Sequence, residues 1–251
     1  MPGHPYFYFF AIPAVILCGL AKGGFTGLGA LGTPLIAFGV DPIRGAAILL
    51  PILIVQDAVS VASFRKSWDG RILAIMLPGA IVGVGLGFAF AASVPEAAVM
   101  AALGAVSILF GAYRLWIERG HVVAASSRSP AWVGSLFGIA TGFTSQIAHA
   151  GGPPFQMWVM PRRLPRDVFV GTSAIFFAAL NWVKVPAYAA LGQFSRANLT
   201  IAFVLLPLAI LSSLAGVRLV RHVPMERFYT IVYALMIIAG GKLLLDGCGV
   251  T

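Results

Sequence analysis

Charge is scarce in this chain. Of its 251 residues only 10% are Asp, Glu, Lys or Arg, and just eight are acidic. Soluble domains carry roughly a quarter of their residues charged so that their surface can face water. With 59% hydrophobic residues and a mean hydropathy of +0.94, that shortage excludes an ordinary soluble domain. Cysteine is also rare: Cys18 and Cys248 lie near opposite ends and share no motif spacing, which excludes a disulfide framework and a thiolate metal site. No G-x-S-x-G, H-E-x-x-H or Walker loop occurs, and GLGALG at 27 to 32 lacks the strand and helix that a dinucleotide site needs. Neither an enzyme nor a cofactor nor a metal is therefore expected, and any transport must run on gradients. The opening MPGHPYFYFFAIPAVIL has no basic region before its apolar run, so the first segment is expected to remain in place.

What is present is a series of uncharged stretches, of which Ile72 to Ala92 is the cleanest. About 20 residues at 1.5 Å each cover the roughly 30 Å of a bilayer core. Open strands leave backbone groups unsatisfied in lipid, so these stretches read as helices of an all-α polytopic membrane protein with eight to ten membrane segments. The net charge of +9 sits in short clusters between apolar runs, which fits positive-inside loops better than a nucleic-acid surface.

The polar stretch at 118–130 separates two related halves, 1–117 and 131–251. LPGA at 77 to 80 matches LPLA at 206 to 209, VPEA at 94 to 97 matches VPME at 223 to 226, and ILFGAYRL at 108 to 115 matches IIAGGKLL at 237 to 244, always at an offset of 129. GGFTG at 23 to 27 pairs with TGFTS at 141 to 145 at a shorter offset. A constant offset across separate motifs points to duplication.

The basic residues decide how the halves are oriented. With Arg65, Lys66 and Arg71 cytoplasmic, an inverted second half also places Arg114, Arg119, Arg128, Arg162, Arg163, Arg166, Arg218, Arg221 and Arg227 inside, 12 in all, against Arg44, Arg196 and Lys242 outside. Parallel halves would give 8 against 7. Inversion satisfies the positive-inside bias and puts both termini outside. It also requires each half to begin with a hairpin of short broken helices, followed by three full spans.

Glycine-rich turns at membrane depth survive only against protein or a water-filled cavity. Gly23, Gly24 and Thr26 in the first turn, and Thr144, Ser145 and Gln146 near the second, are therefore candidate wall residues. Four ionisable groups fall well inside apolar segments: Lys22, Asp57, His149 and Lys184. Each is costly there, so each is a functional candidate. Two lysines against one aspartate leave positive charge suited to an anion. Asn181, Lys184 and Tyr188 follow helical spacing and share one stripe. Asp57 and His149 are the candidates for proton coupling.

The motif GLAKGGFTGLGALGTPLI, its echo GFTSQIAHAGGPP and the duplicated plan resemble the TauE/SafE sulfite exporter family, also called the 4-toluene sulfonate uptake permease family. The resemblance covers nearly the whole chain. It implies a permease of bacterial inner membranes that moves sulfur-containing anions such as sulfite or organosulfonates. Lys22, Gly23, Gly24, Thr26, Thr144, Ser145, Gln146, Asn181, Lys184 and Tyr188 form the expected substrate site. The expected partners are a small anion and membrane lipid, not nucleic acid, with a homodimer as the candidate assembly. A passive anion channel and a structural membrane subunit are the alternatives, the first distinguished by counterflow and the second by absence of flux.

Overall fold

In the computed structural model, residues 5–24, 28–93, 95–118, 129–219 and 226–249 are described, and every regular element among them is helical. Helix α1 spans Pro5–Lys22, a 3-10 turn Leu28–Leu31 leads into the five-residue α2, Gly32–Ile36, and three long helices follow: α3 Pro42–Phe64, α4 Gly70–Ser93 and α5 Glu96–Glu118. The same order then recurs, with α6 Ala131–Ala148, the eight-residue α7 Gly152–Val159 and its 3-10 extension Met160–Arg162, then α8 Arg166–Ala190, α9 Arg196–Leu219 and α10 Glu226–Gly247. Helices α3, α4, α5, α8 and α9 are long and apolar enough to cross a membrane. They make this a polytopic membrane protein.

Each half opens with a hairpin. Gly39, beyond α2, lies back against Phe7 at the start of α1, where an added Cβ would come 3.3 Å from the Phe7 Cα. Trp158 of α7 fills the flank of Gly134 at the start of α6, and Arg162 donates to Ser129 Oγ at 3.2 Å. The first arms are longer than the apolar pieces in the sequence: α1 and α6 each run 18 residues, about 27 Å, carrying through Lys22 and Ala148. The reason is tertiary. Their polar last turns are packed against α9 and α4, which supply the contacts that hydropathy alone does not provide.

Those contacts are backbone to backbone. Gly23, just past the end of α1, meets Gly216 of α9, and Gly142 of α6 meets Ala80 of α4, so closely that a Cβ at either glycine would collide with main-chain atoms. Small residues permit such approach between helices in lipid, where packing replaces the hydrophobic drive. Both pairs run parallel, since Gly19 faces Ser212 as Gly23 faces Gly216, and Gly138 faces Met76 as Gly142 faces Ala80. By contrast α3 and α8 are antiparallel: Phe64 lies beside Gly171, while Ala46 and Tyr188 share one apolar cluster. Helices α5 and α10 are antiparallel too, with Gly104 against Gly240 and Gly247 against Ala101. Following these directions, α1 starts and α10 ends on the same face, opposite the end of α3. Thr26 and residues 119–128 of the linker lie outside the described residues.

Candidate functional site

The tips of the two hairpins and the middles of α3 and α8 enclose the buried charges. Helix α3 starts cleanly because the Asp41 carboxylate accepts from Arg44 N at 2.7 Å and proline occupies its first turn, leaving the polar Gln56, Asp57 and Ser60 in its second half. All three are buried. Gln56 donates through Nε2 to Val15 O at 3.0 Å, and Ser60 Oγ donates to Lys22 O at 2.6 Å, so both fasten α3 to the end of α1.

This fastening delivers Lys22 to Asp57. The ammonium lies 2.5 Å from Asp57 Oδ1, while Asn181 of α8 donates through Nδ2 to Asp57 Oδ2, also at 2.5 Å. The Lys22 side chain keeps 14% of its surface and Asp57 only 2%. Lys22 also stands over the Phe177 ring, 5.1 Å from its centroid. The aspartate is thus neutralised by one lysine, as in a charge-assisted pair with an added amide donor.

The second lysine has no such partner. Lys184 of α8 is fully buried and hydrogen-bonds Ser145 O and Ser145 Oγ, both at 3.2 Å, with His149 Nδ1 at 2.6 Å. It forms no ion pair among the described residues. His149 ends α6 in the left-handed conformation, φ 50°, which turns its ring back toward α3 and α8. Its Nε2 lies 2.9 Å from Ala46 O, and its ring stacks on Tyr188 at 6.0 Å and 16°. The tautomer is assigned from these partners: a carbonyl can only accept, so Nε2 carries hydrogen, and Nδ1 offers its lone pair to the Lys184 ammonium. Two cations cannot face each other at 2.6 Å as donor to donor, so Lys184 and His149 together hold at most one positive charge.

Two adjoining cavities open onto these groups. The larger, about 90 Å³, is lined by Lys22, Gly24, His149, Gly152, Gln156 and Phe177 among others. The smaller, about 50 Å³, touches Lys22, Ser145, His149, Asn181 and Lys184. Since about 10–15 Å³ of such space holds one water, the pair has room for a small anion and a few waters. Gly24 reaches the wall with φ 124°, a conformation that side chains rarely adopt.

The remaining sequence candidates sit elsewhere. Gly23 is committed to packing on Gly216. Thr144 Oγ1 donates to Ala140 O at 2.8 Å within its own helix and lines neither cavity. Tyr188 donates to Gln146 O at 3.0 Å, and both residues face a smaller void beside Ala46 instead. Among the described residues no group of three or more His, Cys, Asp or Glu could hold a metal ion. Cys18 is a buried free thiol of α1, and Cys248 an exposed one.

Sequence reading passed over Gln156. It is the single polar side chain in the eight-residue α7, GPPFQMWV, and that isolation between apolar neighbours is the signal that marks it. Arg114, expected among the cytoplasmic basic residues, turns inward to meet Gln156 Oε1 at 3.2 Å.

No curated protein and no solved structure matches the chain significantly. The family model described as sulfite exporter TauE/SafE matches residues 11–243, from within α1 to within α10 and including the whole buried charge cluster, and the chain belongs to that family of membrane transporters.

Proposed function

We propose that the protein is a secondary transporter that carries small sulfur-containing anions, sulfite or organosulfonates, across a bacterial inner membrane by alternating access. The observation that carries this reading is Lys184: a fully buried lysine with no carboxylate partner among the described residues, on the wall of a cavity at the meeting point of two hairpin tips. An unpaired buried charge is expensive, and an anion entering beside it offsets that expense. Asn181 and Lys22 add donors on one side and the Ser145 hydroxyl on the other, while His149 holds Lys184 in place. Proton coupling would use Asp57 or His149, each within hydrogen-bond reach of a lysine.

Alternating access fits two inverted halves, 1–117 and 131–251, joined by the linker 118–130. Helices in equivalent places, α3 with α8 and α5 with α10, run antiparallel, as a pseudo-two-fold axis in the membrane plane requires; an axis along the membrane normal would leave them parallel. The partner exchange agrees, since α1 packs on α9 where α6 packs on α4. The basic loops favour both termini outside. Partners on this reading are the anion and lipid, and a homodimer is the assembly to look for.

Counterflow in proteoliposomes tests the proposal. Vesicles loaded with unlabelled sulfite, sulfoacetate or sulfate should accumulate the labelled anion transiently when the wild-type protein is present, and the Lys184→Met and Lys22→Ala variants should not. Entry that equilibrates without overshoot would instead identify a channel.

A further inference from the structure

Gln156 stands at the edge of the larger cavity with half of its amide in use. It is only 4% exposed, and its Oε1 accepts from Arg114 at 3.2 Å. A guanidinium has donors and no acceptor, so the group facing Arg114 must be the oxygen and the amide orientation is fixed. The NH2 therefore points the other way. It donates to nothing among the described residues, yet it is not sealed from space. Nε2 lies beside the open flank of Gly152, 3.6 Å from where a Cβ would stand, and both residues line the cavity that Lys22, Gly24 and His149 also line. Buried polar groups are almost always satisfied, so two free amide hydrogens on an anion-sized cavity call for an acceptor.

Arg114 is itself anchored from three sides. It rises from α5, donates through Nε to Tyr233 OH of α10 at 3.0 Å, and lies 5.1 Å from the centre of that ring. Its other end approaches Met160 Sδ at 3.9 Å as well as Gln156. A planar donor fork gripped in this way sets both the place and the rotation of the amide.

We propose that Gln156 is a substrate-binding residue whose NH2 donates to an oxygen of the transported oxyanion, and that Arg114 is the positioning residue that fixes this orientation. The inference rests on the anion-transporter reading of the cavity. It assigns the site a neutral donor pair in addition to its lysines, suited to a sulfur oxyanion with several acceptor oxygens.

The Gln156→Glu variant separates this role from a structural one. Glutamate has the same shape and pairs more strongly with Arg114, so a mere brace would tolerate it with unchanged transport and equal or higher thermal stability. A donor role predicts that the variant folds and yet binds sulfite at least 100-fold more weakly, because both hydrogens are gone and a carboxylate faces the anion. Gln156→Leu should raise the half-saturation concentration for labelled sulfite 10- to 100-fold with a smaller change in maximal rate, and Arg114→Met should do part of the same. The double variant should be no worse than Gln156→Leu alone, as expected of two residues acting through one amide. Sulfite binding to purified protein is measured alongside transport. If the wild type binds sulfite, Lys22→Ala does not, and Gln156→Glu binds like the wild type, the assignment of Gln156 is overturned while the transporter reading stands. If the wild type binds none of sulfite, sulfoacetate and sulfate, both fall together.

Discussion

Replacing Asp57 by Asn should expose how the Lys22–Asp57 pair divides its work between folding and transport. The carboxylate is 2% exposed and the lysine side chain 14%, so the variant leaves an ammonium in a nearly dry site with its counter-charge gone. The new amide makes matters worse. Its oxygen takes the Asn181 donor and its NH2 then meets Lys22, donor against donor. Removing one partner of a buried pair costs about 3–5 kcal/mol, and the residual exposure of Lys22 places this case near 3. That is roughly a hundred-fold shift or more in the folded-to-unfolded ratio. Converting both members, Lys22→Met with Asp57→Asn, removes the stranded charge and should recover most of the loss, giving a coupling of about 2 kcal/mol or more in a double-mutant cycle. Stability would be read by thermal or denaturant unfolding in detergent, and transport by sulfite counterflow. The double variant should be folded and inactive. If Asp57→Asn unfolds like the wild type, or if the double variant is less stable than either single one, the pair is not the buried ion pair described here.

Other perturbations have different signatures. Lys184→Met should cost about 1–3 kcal/mol, because Ser145 O and the His149 Nδ1 lone pair lose their donor, while anion affinity falls at least 100-fold; retained sulfite affinity in a binding titration would refute the role of Lys184. His149→Asn should unfold later than His149→Val by about 1–2 kcal/mol, since asparagine accepts the left-handed backbone at φ 50° and a β-branched side chain does not. Gly23→Ala should fail to yield folded protein, its methyl group meeting the Gly216 main chain, whereas Gly241→Ala, with nothing within 4 Å, should be neutral or stabilising by about 0.5–1 kcal/mol in a melting experiment.

How much of this was legible in the sequence depends on the kind of contact. The stripe Asn181, Lys184 and Tyr188 was visible from spacing, and all three side chains do emerge on one side of α8. Periodicity fixes a face but not its neighbours, so it could not say that Asn181 meets Asp57 while Tyr188, two turns away, meets Gln146. Thr144 illustrates a competing local rule. On a helix its hydroxyl satisfies itself on the carbonyl four residues back, and no composition-based reading distinguishes that from a cavity donor. Gly23 and Gly24 are adjacent and identical, yet one is pressed on α9 and the other lines the cavity, a difference set by the path of the chain. Gln156 and Arg114 lie 42 positions apart and meet only because α5 and α7 end near one another. The hairpins themselves followed from the count of crossings implied by the loop charges, a constraint on the whole chain and so readable without any tertiary detail.

The glycine-lined contacts have a mechanical meaning. Each hairpin is clamped, main chain against main chain, to a long helix from the other half of the sequence: α1 to α9, and α6 to α4. The two halves are therefore interlocked like the parts of a clasp, and neither is a body that could swing on its own. Under the proposed alternating access, the moving body would be a chimera, a hairpin travelling with a helix encoded in the other half of the chain or staying behind with it. Cutting the chain in the linker should leave two fragments that need each other to fold, and that assemble only when made together.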